Sequence, residues 1–126
     1  MSHSILIVED NAVMAHLLQF NLTRAGFEVT IACNGNSGFE KAVADRFDVV
    51  VTDHQLPGML GTDLCKSLRE MAQYRSTPII LCTAKGLELD RANVVKECGL
   101  TEVLFKPVSP RKLVSAINDL LATASV

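Results

Sequence analysis

Tryptophan is absent, and one tyrosine with five phenylalanines leaves the aromatic share at 5%. The core of such a chain has to be aliphatic, drawn from Val, Leu, Ile and Ala. No apolar run approaches the roughly 20 residues of a bilayer-spanning helix, so membrane insertion is not expected. An excess of charge is missing too: 12 Lys and Arg against 14 Asp and Glu give a net charge of -2. Phosphate backbones are bound by basic surfaces, so direct nucleic-acid binding is not expected either. The cysteines Cys33, Cys65, Cys82 and Cys98 form no CxxC pair. Cys82 lies in an apolar run and the others are expected near element ends. That dispersal argues against a zinc site or disulfide framework and for reduced thiols in a cytoplasmic protein. The N-terminal Met-Ser-His-Ser leads straight into an apolar stretch, with no signal peptide. No linker, repeat or low-complexity segment divides the 126 residues, which read as one domain, 1–126.

The most informative stretch runs from Phe47 to Gly58. Val49, Val50 and Val51 read as a strand buried on both faces, as in a parallel sheet. The strand stops at the carboxylate of Asp53, and Pro57-Gly58 marks a turn soon after. Ligands of open α/β sheets bind at the carboxyl ends of such strands.

The rest of the chain alternates in the same way. Ser4 to Val8 is an apolar strand ending at Glu9-Asp10, and Asn11 is placed to cap a helix. Met14, Leu17, Leu18, Leu22 and Ala25 recur at helical spacing up to a stop at Gly26. Phe27 to Cys33 alternates as an edge strand, and a short helix over 34–45 turns Phe39, Ala42 and Val43 inward. Leu64, Cys65, Leu68, Met71 and Ala72 line a third helix. Pro78 to Thr83 is a fourth strand, residues 87–98 a helix with untidy spacing stopped at Gly99, and Glu102 to Phe105 a short fifth strand. Ser109-Pro110 starts the last helix, whose stripe is Leu113, Val114, Ile117, Leu120 and Leu121. Strands alternating with helices imply an α/β fold with a parallel sheet covered on both sides. Right-handed crossovers leave a few possible strand orders, of which the doubly wound order 2-1-3-4-5 sets strands one and three at the switch point.

Four of the five strands then end in a reactive group: Glu9 and Asp10, Asp53, Thr83, and Lys106. Carboxylates forced together repel, so one takes a proton or a cation joins them. All-oxygen ligands suit Mg²⁺, and a lysine with a hydroxyl suits a phosphoryl group beside it. The matching chemistry is in-line phosphoryl transfer to a carboxylate.

With these residues in order, the chain resembles the receiver domains of two-component response regulators over nearly its whole length. The resemblance rests on Glu9-Asp10, on Asp53-His54-Gln55-Leu56-Pro57-Gly58 with Gly61 beyond, on Thr83-Ala84 and on Lys106-Pro107. It implies the flavodoxin-like (βα)5 fold, with Asp53 as phosphoacceptor. It also implies Mg²⁺ held by Asp10, Asp53 and the backbone carbonyl of Gln55, with Glu9 acting through water. Lys106 would pair with the phosphoryl oxygens, Thr83 would carry the switch, and the Lys106-Pro107 bond would be cis. The phosphoryl source would be a histidine kinase or a histidine phosphotransfer protein. Gln55 and Lys85 would border the path of the water that removes the phosphoryl group. A stand-alone receiver and a domain of a longer protein both stay open at this level: the short N-terminus and weak tail fit the first slightly better, but a domain boundary would look the same.

His54 reads as a loop packing or solvent-facing residue, and Gly58 and Gly61 as turn residues. One departure concerns the aromatic residue most receivers carry three positions before the strand-five lysine. Here that position is Val103, too stiff to swing a ring, and Phe105 is expected in the core. The switched surface is therefore expected on the 87–98 helix, strand five and the last helix, where a protein target would bind. Two alternatives remain at this level: a pseudo-receiver scaffold that is never phosphorylated, and a flavodoxin-like cofactor binder. The intact set of Glu9, Asp10, Asp53, Thr83 and Lys106 counts against the first. The acidic pair where a phosphate cradle would stand counts against the second.

Overall fold

A computed structural model of the chain describes residues 2–84 and 91–124. Five parallel strands, β1 (Ser4–Val8), β2 (Glu28–Ala32), β3 (Val49–Asp53), β4 (Ile79–Ala84) and β5 (Glu102–Lys106), form one sheet in the order β2-β1-β3-β4-β5. The helices are α1 (Ala12–Arg24), α2 (Gly35–Ala44), α3 (Gly61–Arg69), α4 (Arg91–Cys98) and α5 (Pro110–Ala124), with a 3-10 turn at Ala72–Tyr74. This is the doubly wound fold and strand order expected from the sequence. The start of the helix expected over 87–98, and Lys85 before it, lie outside the described residues.

Strand alternation divides the core. Leu6, Val8, Val50, Ile79, Leu81 and Val103 face α2 and α3, with Val95 of α4 at the margin. Ile5, Ile7, Val49, Val51, Ile80 and Cys82 face α1 and α5, where Leu18, Leu22, Leu113 and Ile117 meet them. Every residue of β3 is buried, because this strand lies between β1 and β4 and under both helical layers. Asparagines start the first two helices: the Asn11 side chain accepts from the Met14 N–H at 3.0 Å, and Asn34 from Ser37 at 2.7 Å. Gly26 (φ 98°) and Gly99 (φ 65°) end α1 and α4 in the left-handed region.

Several inward assignments need correction. Leu17 of α1 is exposed, as are Val13 and Phe20, and Ala25 lies past the helix end. The sheet and α5 cover only the Ala15, Leu18 and Leu22 side of α1, so a wider apolar stripe does not mean a wider buried face. Val43 of α2 is exposed for the same reason. Met71 and Ala72 fall beyond α3, in the turn that redirects the chain into β4. Cys65 stands within α3, not at its end, and its thiol donates to the Cys98 carbonyl.

The bonds that tie this lower edge together come from side chains with no apolar pattern to announce them. Tyr74 is fully buried. Its hydroxyl lies 2.6 Å from the Ala42 carbonyl and 2.8 Å from that of Asp45, and accepts the Phe47 N–H at 3.4 Å. Arg69 donates from Nη2 to the Gly99 carbonyl at 2.7 Å and from Nη1 to that of Thr77, also at 2.7 Å. These bonds satisfy backbone carbonyls, and at Phe47 an N–H, where regular structure has stopped.

Tyr74→Phe takes away the one hydroxyl proton these carbonyls share and the acceptor of the Phe47 N–H, and is expected to lower unfolding free energy by about 1–3 kcal/mol. Leu17→Ser on the open face of α1 is expected within about 0.5 kcal/mol of the parent. Urea titrations check both. The thiols give a second test. All four cysteines are free, and only Cys33 is exposed. Burial pushes the Cys82 thiol up to about 12 and the Cys65 thiol up to about 11. Brief alkylation of the folded protein near neutral pH should add one group, at Cys33, and alkylation in denaturant four. Intact mass reads the count.

Candidate functional site

The sheet order brings the ends of β1 and β3 side by side. Val8 pairs with Thr52, so Glu9 and Asp53 are next beyond adjoining strand positions. The Glu9 N–H still bonds the Ala32 carbonyl at 3.0 Å, which holds the first acidic residue on the sheet edge. Glu9 and Asp53 are both buried, Asp10 is exposed, and one carboxylate oxygen of each lies within 4.8 Å of the others. Beneath them Ile7, Met14, Leu18, Val51, Cys82 and Val108 make an almost wholly apolar floor. Low polarity below and carboxylates above magnify every charge at this spot.

Lys106 answers those charges from β5. Its Nζ stands 2.9 Å from Asp53 Oδ2 and 3.3 Å from Glu9 Oε1. Burial disfavours the ammonium form, but the bonds and charges of Asp53 and Glu9 outweigh this and raise the lysine above its usual range. Glu9 is also raised above 4.5, first by burial and then by the Asp53 and Asp10 carboxyls. The Asn11 N–H, 3.2 Å from Glu9 Oε2, and Lys106 oppose that shift without cancelling it. Among the described residues one ammonium thus stands against three carboxylates and leaves them under-neutralised, which is the condition of a divalent-cation site.

Thr83 and His54 approach from the other face of the sheet. Thr83 is fully buried opposite Phe105 of β5, and its hydroxyl has no hydrogen-bond partner among the described residues. His54 is not solvent-facing: it is 7% exposed, and its Nδ1 is likewise unpartnered among the described residues. Gly61 has a steric role and does not merely serve a turn. A Cβ there would stand 2.3 Å from the Asp53 carbonyl oxygen, so only glycine lets α3 start this close to the end of β3. Its N–H donates to the His54 carbonyl at 2.9 Å. Gln55 follows at the surface. The Lys106-Pro107 bond is cis, as the resemblance implies.

β5 corrects one expectation. Val103 is buried, but Phe105 on the same face is 46% exposed and not in the core. Cover over this face falls away towards the carboxyl end of the strand, so alternation alone does not bury its last aromatic residue. Apolar patterning also gave no warning that His54 would be buried, because histidine is common in both environments.

Residues 5–118 match the family model described as the response regulator receiver domain. The chain is 40% identical over 118 residues to the sensory transduction protein RegX3 of Mycolicibacterium smegmatis, covering 94% of this chain and 50% of that protein. It is 34% identical over 126 residues to the alkaline phosphatase synthesis transcriptional regulatory protein PhoP of Bacillus subtilis, covering 100% and 51%. The chain therefore spans about half the length of these two relatives. Among solved structures, the Vibrio cholerae chemotaxis protein CheY4 superposes with a TM-score of 0.88 at 30% identity, covering 95% of this chain and 99% of that one. The receiver domain of the sensor histidine kinase PA1611 from Pseudomonas aeruginosa, solved with magnesium in its active-site cleft, gives 0.86 at 29% identity, covering 97% and 99%. The matched segment contains both acidic strand ends, the buried hydroxyl and the lysine, and the chain belongs to the receiver-domain family of two-component response regulators.

Proposed function

We propose that Asp53 accepts a phosphoryl group from a phosphohistidine on a histidine kinase or phosphotransfer protein, and that the aspartyl phosphate switches binding to a protein target. The observation that carries this reading is the 2.9 Å contact of Lys106 with Asp53, inside a cluster that also holds Glu9 and Asp10. A carboxylate oxygen of Asp53 attacks phosphorus, the bond from phosphorus to the histidine nitrogen breaks, and the imidazole leaves with a proton. Lys106 orients Asp53 beforehand and afterwards stands beside the new phosphoryl charge. The buried Thr83 hydroxyl is a donor with no competing partner among the described residues.

The donor set fits Mg²⁺: three clustered carboxylates, one of them exposed, with one ammonium between the other two. Asp10, Asp53 and the Gln55 carbonyl would hold the ion directly and Glu9 through water. When bound, it would supply positive charge against the carboxylates and the incoming phosphoryl oxygens.

The output surface proposed is α4, β5 and α5. The exposed Phe105 lies in a shallow groove of about 370 Å³ that runs from Glu102 to Lys112 across β5 and the start of α5. An apolar ring in a polar-edged groove suits a protein partner.

Incubation with Mg²⁺ and a small phosphodonor should add one phosphoryl group by intact mass, and Asp53→Asn should lose that gain. A gain that persists in the variant refutes Asp53 as acceptor. Mg²⁺ should also raise the melting midpoint, equivalent to about 2.7 kcal/mol at a hundredfold excess over Kd. The sign for Glu9 follows from its raised pKa. The folded state favours its protonated form, so the stability it contributes is complete below 4.5 and declines as pH rises through the window above it. Glu9→Gln should therefore melt higher than the parent in chelator at neutral pH, yet gain less from Mg²⁺. A lower midpoint in chelator, with the full Mg²⁺ gain, is the contrary result.

A further inference from the structure

The last turns of α3 and α4 meet in a groove of about 610 Å³ beside the starts of β4 and β5, at the opposite edge of the sheet from Asp53. Lys66, Arg69, Arg75 and Lys96 line it together with Glu70 and Glu97. Four cations against two carboxylates leave an excess of two positive charges, in a chain whose net charge is -2. Lys66, Arg75 and Lys96 are exposed, and none of the six groups forms an ion pair with another described residue. Burial pushes the Cys98 thiol up, while the Lys66 charge on the facing helix draws it down and Glu97 and Asp63 add to the rise. The charge of α3 is therefore felt at the end of α4.

The helix ends account for part of this excess. Each C-terminus is equivalent to about half a negative charge, so two of them call for about one positive charge. The groove holds two in excess, and about one is left over. Arg69 is the cation built into the fold. It is half-buried, and its Nε, Nη1 and Nη2 donate to the carbonyls of Gly99 and Thr77. Neutral carbonyls orient the guanidinium without cancelling its charge, and burial pulls its pKa below the usual range. A fixed cation flanked by three exposed ones is a standing attraction for anions.

Glu70 and Glu97 narrow the choice of anion. A phosphodiester strand carries a charge on every unit and would set phosphates against both glutamates. A second copy of this face would bring one positive excess against another, which is repulsive. An extended peptide turns alternate side chains to opposite sides, so its carboxylates can meet Lys66, Arg75 and Lys96 while neutral residues pass the glutamates. We propose that the groove between the ends of α3 and α4 docks an acidic, extended segment of a partner protein. The site stands apart from Asp53 and does not depend on its phosphorylation.

The test titrates an acetylated decapeptide of alternating Asp and Ala into the ¹⁵N-labelled whole chain, at low salt and without Mg²⁺ or phosphodonor. Amide shifts should centre on Lys66, Arg75, Lys96 and Gly99 and shrink as salt rises. The same peptide with Asn in place of Asp should give none. Lys66→Gln combined with Lys96→Gln should weaken binding about three- to tenfold, the worth of two exposed charge pairs. Lys66→Arg combined with Lys96→Arg should keep it. Arg69 stays in place because its bonds hold the backbone. A ten-nucleotide thymidine strand at the same salt should bind more weakly than the acidic peptide. Absence of shifts, shifts centred elsewhere, undiminished affinity in the glutamine variant, or tighter binding of the thymidine strand overturns the proposal. Shifts in the parent need no substitution, so a variant that fails to fold does not remove the test. None of these outcomes bears on the mass gain at Asp53, so this inference and the phosphoacceptor reading fail separately.

Discussion

The ammonium of Lys106 between Asp53 and Glu9 is the contact on which the rest of the site depends. Two buried carboxylates meet over a nearly apolar floor, and Lys106 is the cation that touches both. Its position is a result of topology. β5 is two strands away from β3, with β4 between them, and Lys106 pairs with Ala84 at the very end of β4. Only where β4 stops can a side chain from β5 cross to β3. A lysine one pair earlier would meet the body of β4 instead of its end. The reactive groups are confined to strand ends for the same reason.

The sheet also separates tasks between its faces. Asp53, Glu9 and Lys106 sit above the α1 and α5 side, together with Cys82. Thr83, His54, Val103 and Phe105 belong to the side of α3 and α4. A continuous sheet lets no side chain pass through it, so any link between Asp53 and the α3 and α4 side has to go over the carboxyl edge. Thr83 is the penultimate residue of β4, close enough to the edge for a short hydroxyl to look either way. Gly61 keeps this edge tight by letting α3 begin against the Asp53 carbonyl.

Much of this was legible in the sequence, because a parallel sheet advertises itself. Its strands are short apolar runs, and their ends are where the polar residues start. The five strands, their order and the convergence of Glu9, Asp10, Asp53 and Lys106 follow from that pattern. What stayed hidden depends on cover, which periodicity does not encode. Leu17 and Phe20 continue the helical apolar spacing of α1 but meet solvent, Phe20 with the Arg24 guanidinium 5.5 Å from its ring centroid. Tyr74 and Arg69 form no motif, yet their bonds to backbone carbonyls join segments about thirty residues apart. Hydrogen bonds from side chain to irregular backbone are set by the finished fold, so no local pattern forecasts them.

Phe105 and His54 illustrate how burial alters a residue's meaning. Val103 and Phe105 share a face, but the valine is closed in with Leu81, Cys98 and Leu100 while the phenylalanine is open. A β-branched residue packed in this way has one favoured χ1 and no room to trade positions, so Val103 does not report a change at Thr83 by moving. Phe105 is half-exposed and directly opposite Thr83 in the β4–β5 ladder. On the other strand flanking β4, His54 sits at the same level. Thr83 therefore pairs with the exposed Phe105 on one side and stands level with the buried His54 on the other.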